Sequence, residues 1–265
     1  MGRETELCNH LGRTPEERLL LRRVLDQSVG AVRKCEPCRT PFLTPRECAL
    51  AKQLIAALGY PSHRFEGGYP EAERQVCVFL PDWLEPEAEL PEPYGLSALR
   101  AVWYEGDTLS HRDILGALMG LGIRRDTVGD LLVGTHSCDL ILLPEILPYL
   151  RENFTQAGRV KLKVSQIPLS ELSIPTLAKK VIHSTISTLR LDAVAAAGFG
   201  TSRGKMAEAI SSGRVSLNHL DCTRSDQSMA AGDVISCRGM GKCRLAEVGG
   251  LSRKGRISIT MERYL

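Results

Sequence analysis

Apolar residues recur at helical spacing near the start of the chain, give way to alternation in the middle, and return to helical spacing before a last alternating stretch. Leu19, Leu20, Val24 and Leu25 share a helix face behind Thr14-Pro15-Glu16-Glu17, where a threonine can cap and a proline can occupy the first helical position. Thr44-Pro45-Arg46-Glu47 opens a second run through Ala49, Leu50, Leu54, Ile55 and Leu58, ended by Gly59. Residues 1–65 therefore read as a helical N-terminal domain. Over residues 66–168 the pattern predicts strands at 75–80 and 99–104, joined by an acidic, proline-rich surface loop over 81–93. Ser110 can cap a helix holding Ile114, Leu115, Leu118, Met119 and Leu121. A strand pair at 131–133 and 139–143, a short helix at 144–153 and a strand at 159–164 complete the order β-β-α-β-β-α-β, with helices over one antiparallel sheet. Residues 169–188, rich in Ser, Thr and Pro, read as a connection.

Residues 189–265 form a third domain. Leu191, Val194 and Ala195 mark one helix, and Gly198 and Gly200 break its pattern. Ser202 caps a second helix with Met206, Ala207 and Ile210 inward, and Gly213 stops it. Val215 and Leu217 alternate as a half-buried strand, Gly232-Asp233 reads as a turn, and residues 234–238 as a further strand. The predicted fold class is thus α+β in three small domains.

Charge sharpens this picture. The whole chain carries 34 Lys+Arg and 31 Asp+Glu, net +3. Residues 176–265 hold 14 basic and 7 acidic residues, net +7, which leaves the remainder at 20 and 24, net −4. A basic module on a mildly acidic body predicts localised contact with nucleic acid. The cations are also placed unusually. Arg190 starts one helix, and Arg203 and Lys205 lie in the first turn of the next. A cation at that positive end of the helix dipole costs about 0.3–1 kcal/mol unless an anion binds there, and free N–H groups at a helix start are natural phosphate sites. Arg214, Arg238, Lys242 and Arg244 extend the positive face from the sheet side. The competing reading is a solvated charged surface; pattern, topology and charge together favour RNA.

Other chemistry is thin. No window approaches 18 uninterrupted apolar residues, so no membrane span is expected, and the polar N-terminus does not resemble a signal peptide. Nine cysteines, an odd number, read as reduced thiols of a cytoplasmic protein. Cys35-Glu36-Pro37-Cys38 is one Cys-x-x-Cys pair where structural zinc wants four ligands; Cys8 and Cys48 complete a set only if the fold brings them close, and a redox pair lacks its usual βαβ setting. No metal and no cofactor are expected. His111-Arg112-Asp113 lacks the companions of a kinase signature, and Gly67-Gly68-Tyr69 is followed by no Gly-Lys-Ser/Thr, so neither predicts nucleotide chemistry.

Family resemblance adds to this. Arg190-Leu191-Asp192, Ser202-Arg203, Gly213-Arg214-Val215, Asn218, Gly232-Asp233 and Arg238-Gly239-Met240-Gly241 resemble the S-four domain, or alpha-L RNA-binding motif. Phe65-Glu66-Gly67-Gly68-Tyr69 with Glu73-Arg74, the run from His111-Arg112-Asp113 through Met119, Gly129-Asp130, Pro45-Arg46-Glu47 and Pro168-Leu169-Ser170-Glu171-Leu172 resemble the YlmH family over nearly the full chain. The resemblance implies three parts: a helical N-terminal domain, an RNA-binding domain of RRM-like kind, and the S-four domain. It implies a monomeric, non-enzymatic factor that binds rRNA of the large ribosomal subunit, in rescue of stalled subunits carrying peptidyl-tRNA. The alternative is an enzyme that modifies rRNA or tRNA, a pseudouridine synthase or methyltransferase, using the C-terminal module to hold substrate. The expected RNA-binding residues are Arg190, Ser202, Arg203, Lys205, Arg214, Asn218, Arg238, Lys242 and Arg244. Tyr69, Arg74, His111 and Arg112, polar positions without an obvious packing duty, are the expected second RNA or ribosome contact. Met240 and Cys243 stand where the family commonly has aromatic residues, which removes base stacking there.

Overall fold

The computed structural model describes residues 2–59, 62–91, 93–176 and 178–264. The chain is mixed α/β and divides into two compact units, Met1–Pro175 and Thr176–Leu265.

The first unit begins with α1 (Arg3–Leu11), α2 (Pro15–Lys34), β1 (Cys38–Arg39), α3 (Pro45–Leu58), β2 (His63–Glu66) and β3 (Val76–Phe79). Both expected helix starts are capping boxes: Thr14 accepts from the Glu17 N–H and Thr44 from the Glu47 N–H, while each glutamate reaches back to its threonine's N–H. Gly59 caps α3 at φ 62°, a left-handed conformation glycine adopts without steric cost. The strands form a sheet in the order β1-β3-β2. All four residues of β3, Val-Cys-Val-Phe, are buried.

Next come β4 (Ser97–Val102), α4 (His111–Gly120), β5 (Val128–Val133), β6 (Ser137–Leu142), α5 (Leu147–Asn153), the small pair β7 (Gln156–Ala157) and β8 (Val160–Lys161), and β9 (Lys163–Ile167). The sheet order is β5-β6-β4-β9, all neighbours antiparallel, with α4 and α5 in the crossovers. This is the β-α-β-β-α-β arrangement of ferredoxin-like domains. The strand expected at 75–80 belongs elsewhere. It pairs with β2 from His63↔Phe79 to Glu66↔Val76, so a boundary between residues 65 and 66 would cut a paired strand. An apolar strand buried on both faces needs partners at both edges, and they come from residues upstream of it. Leu99, Leu140 and Leu142 pack under Ile114, Leu118 and Leu150 on one side of the four-stranded sheet. Leu132 and Ile141, on its other side, pack with Phe42, Val76, Val78 and Leu80. The approach is close enough that a Cβ on Gly129 would lie 2.8 Å from the Phe42 ring.

The second unit holds β10 (Lys179–Ile186), α6 (Leu191–Phe199), α7 (Arg203–Ser211), β11 (Val215–Leu217), β12 (Leu220–Asp221), β13 (Val234–Cys237), β14 (Gly241–Leu251) and β15 (Ile257–Tyr264). They form one antiparallel sheet in the order β10-β15-β14-β13-β11-β12. Residues 169–188, expected as a connection, thus contain a full strand, paired from Lys179↔Tyr264 to Ile186↔Ile257. Helix α6 is apolar almost all round, and Leu191, Val194, Ala195 and Phe199 bury against Cys243, Leu245, Ile259 and Met261. A Cβ on Gly198 would meet Met261 Cε at 2.8 Å, so this glycine sets how closely the helix lies on β14 and β15.

Candidate nucleic-acid interface

The helix starts of the second unit hold the first cluster. Arg190 is the N-cap residue of α6, and Asp192, 5% exposed, lies in its first turn. Arg203, at the start of α7, places Nε 3.0 Å from Asp192 Oδ2, and Arg190 Nη2 lies 3.3 Å from the same oxygen. Burial raises the Asp192 pKa, but hydrogen bonds and charge from Arg203 and Arg190 outweigh it and hold the carboxyl below its usual value. The two arginines expected to be free phosphate ligands are therefore gathered on one carboxylate. Their side chains stay 48% and 41% exposed, so each still presents N–H groups to solvent. Ser202 caps α7 by accepting the Lys205 N–H at 3.3 Å, and Lys205 itself is exposed.

A second cluster lies where β11 and β13 begin and end together. The Arg238 N–H donates to the Arg214 carbonyl at 3.0 Å, which sets two exposed arginines side by side. Arg214 Nε donates to Ser212 Oγ at 3.1 Å. Lys242 follows one turn on, its ammonium 4.9 Å from the Tyr264 ring centre, with Lys179 5.2 Å from the same ring. Lys242 and Arg244 are half-buried and alternate along β14 with buried Cys243 and Leu245, so they occupy the sheet face opposite the helices. Asn218 has a different duty. At φ 49° its amide donates to Asp233 Oδ1 at 2.8 Å and accepts the Val234 N–H at 2.9 Å, so both ends of this exposed side chain are engaged by residues 233 and 234.

Of the expected middle contact, Tyr69 and Arg74 are engaged within the fold, while His111 and Arg112 are exposed. Tyr69 donates its hydroxyl to Asp130 Oδ2 at 2.9 Å, and the same carboxylate accepts the Glu73 and Arg74 N–H groups at 2.7 and 3.1 Å. Arg74 directs its guanidinium to the carbonyls of Val128, Phe42 and Arg125, at 3.1, 3.1 and 3.3 Å. Burial lowers the Arg74 pKa and brings that of neighbouring Arg125 down to about 10. Tyr69 and Arg74 are structural; a polar side chain that satisfies buried backbone looks, in sequence, like a surface residue. His111 and Arg112 are exposed in the first turn of α4, between the Ser110 and Asp113 of its capping box.

The four-stranded sheet also lacks the stacking aromatics by which RRM sheets hold bases. Its central strands carry Ala98, Arg100 and Val102 on β4 opposite Ile141, Asp139 and Ser137 on β6. Arg100 donates Nε and Nη2 to Asp139 at 2.6 and 2.7 Å, and Asp139 is 1% exposed. Arg100 Nη2 also reaches the Glu171 carbonyl and Ser173 Oγ, which ties residues 171–173 to the sheet. Among the described residues no group of three His, Cys, Asp or Glu is placed to hold a metal ion, and no helix is long and apolar enough to cross a membrane. Arg253, Lys254 and Arg256, between β14 and β15, are further exposed cations outside the expected set, and their signal in the sequence is the run Arg-Lys-Gly-Arg.

Comparison with known proteins agrees with this architecture. Residues 16–82 match the family described as "YlmH, N-terminal", a span that contains the whole three-stranded sheet, and residues 104–171 match "Putative RNA-binding domain in YlmH". The "Ribosome-associated protein quality control protein P2" of Bacillus subtilis (strain 168) is 32% identical over 226 residues, covering 84% of this chain and 86% of that protein. The solved "Cell division protein ylmH from Streptococcus pneumoniae" is similar in fold, with a TM-score of 0.51 at 23% identity over 62% of this chain and 98% of that one. Two matched segments in chain order, with a relative of this identity across most of both proteins, place the chain in the YlmH family.

Proposed function

We propose that this protein is a non-enzymatic RNA-binding factor of the ribosome, acting as a cytoplasmic monomer on large subunits that stall with peptidyl-tRNA attached. One observation carries the reading: the second unit, net +7, presents Arg203 and Lys205 at a helix start and Arg214 beside Arg238 at a strand turn, all exposed. Cations spaced in this way on a rigid frame take phosphates of structured RNA, whose affinity comes largely from backbone contacts. The Bacillus subtilis relative, named for ribosome-associated quality control, supplies the ribosomal setting. His111 and Arg112 are the part of the middle contact that remains available for RNA.

Cross-linking in cells followed by sequencing of the attached RNA tests the proposal. Cross-links should concentrate on large-subunit rRNA and on tRNA, and should increase when elongation is stalled. Cross-links spread over messenger RNA, or confined to the small subunit, contradict it.

A further inference from the structure

The hairpin joining β14 to β15 carries cations that the helix-start and strand-turn clusters do not include. Leu251, Ser252, Arg253, Lys254, Gly255 and Arg256 are all exposed, and no acidic residue lies between Glu247 and Glu262. The tip is built. The Ser252 N–H donates to the Arg256 carbonyl at 2.7 Å, the Gly255 N–H to the Ser252 carbonyl at 2.9 Å, and the Arg256 N–H to Ser252 Oγ at 3.1 Å. Gly255 turns the chain at φ 70°. Arg256 braces the tip against β10 through Thr185 Oγ1 at 3.1 Å and the Thr185 carbonyl. Among the described residues, Arg253 and Lys254 form no ion pair with a carboxylate.

Position matters as much as charge. Lys242 and the Arg214–Arg238 pair lie at one end of β14, and the tip lies at the other. Arg253 lies eleven positions beyond Lys242; at about 3.3 Å per residue, shortened by two register shifts, the two clusters stand roughly 30 Å apart. Leu251, 73% exposed beside the cations, offers an apolar surface for a sugar or a base edge.

We propose that the β14–β15 tip is a second phosphate-binding element, in which Arg253 and Lys254 contact the backbone of the same structured RNA that the other basic clusters hold, roughly 30 Å away. This rests on the functional reading above, and the RNA backbone is its occupant.

The test uses the full chain, purified large ribosomal subunits, and naked rRNA extracted from them. The variants are Arg253→Ser with Lys254→Ser, Arg214→Ser with Arg238→Ser, and all four together. The tip variant should bind both probes roughly tenfold more weakly at low salt, and its log–log salt slope should fall by about 1.4–1.8, the release of two contacts. The fourfold variant should lose the product of the two factors. Urea unfolding checks that each variant is folded; if the tip double variant is not, Lys254→Glu alone is read for the same direction. Unchanged binding of the tip variant, with the Arg214/Arg238 variant weakened, overturns the tip contact and leaves the functional reading standing. Loss on subunits but not on naked rRNA makes a ribosomal protein the occupant and overturns the RNA contact. A wild-type chain that binds neither probe overturns the functional reading and the tip contact together.

Discussion

Replacing Arg203 with alanine separates affinity from folding at the helix starts. The change removes one of two guanidinium groups from Asp192 and one exposed cation from the surface. A hydrogen bond to a charged group contributes about 1.5–3 kcal/mol when desolvated. Here the arginine side is 48% exposed, which moves the value toward the 0–1 kcal/mol typical of exposed pairs, and Arg190 remains 3.3 Å away to keep the buried carboxylate paired. The expected loss in urea unfolding at neutral pH is about 1 kcal/mol. It should also depend on pH. The Asp192 carboxyl is held below its usual value, so the pair contributes fully above the unfolded value near 3.9 and is lost as pH falls through the lower folded value. Wild type and variant should therefore differ at pH 7 and converge in strong acid. On the binding side, affinity for large subunits should fall and the salt slope should decrease by about 0.7–0.9 for one lost phosphate contact. A loss of several kcal/mol in stability, with unchanged affinity per folded molecule, would refute the assignment of Arg203 as a binding residue.

The middle of the chain gives the opposite expectation. Arg74→Ala strips donors from three backbone carbonyls and should cost about 2–4 kcal/mol in urea unfolding while leaving the salt slope of RNA binding as it was. Arg100→Met leaves the buried Asp139 carboxylate without its bidentate partner; about 3 kcal/mol of destabilisation is expected, with earlier proteolysis around residues 168–175 as the accompanying sign. Elemental analysis of untagged protein should find far less than one zinc per chain, and Cys35→Ser should fold normally; one metal per chain that disappears together with the fold on that substitution would contradict the reading of free thiols.

Local rules read from the sequence carried a long way. Thr14, Thr44 and Ser110 are capping residues because each is followed three positions later by a carboxylate that closes the box, and that relation lies wholly within four residues. Gly59, Gly200 and Gly213 stop helices for an equally local reason, a left-handed φ. Pairing was less legible. The apolar run at 76–79 is recognisable as a strand, but its partners at 38–39 and 63–66 are short and partly polar, so nothing nearby assigns it to their sheet. Strand β10, Lys-Lys-Val-Ile-His-Ser-Thr-Ile, is an edge strand with one exposed face, and its Ser, Thr and Lys content resembles a linker. The site divides along the same line. Exposed cations at element ends were readable at Arg203, Lys205, Arg214 and Arg238, whereas Tyr69, Arg74 and Asn218 satisfy partners that are distant in sequence. Arg190 and Arg203 were readable as cations at helix starts, but the buried carboxylate that joins them required the fold to be seen.

On the proposed function, exposed cations of the second unit bind the large subunit through RNA phosphates. Sedimentation of the full chain with separated ribosomal subunits, at about 50 and 200 mM salt, tests it directly when wild type is compared with the Arg214→Ser, Arg238→Ser double variant. Wild type should pellet with large subunits in preference to small ones and lose much of that association at the higher salt. The double variant should be weakened at low salt and show a flatter salt dependence. Equal pelleting with both subunits, or a double variant that matches wild type at both salts, would contradict the account.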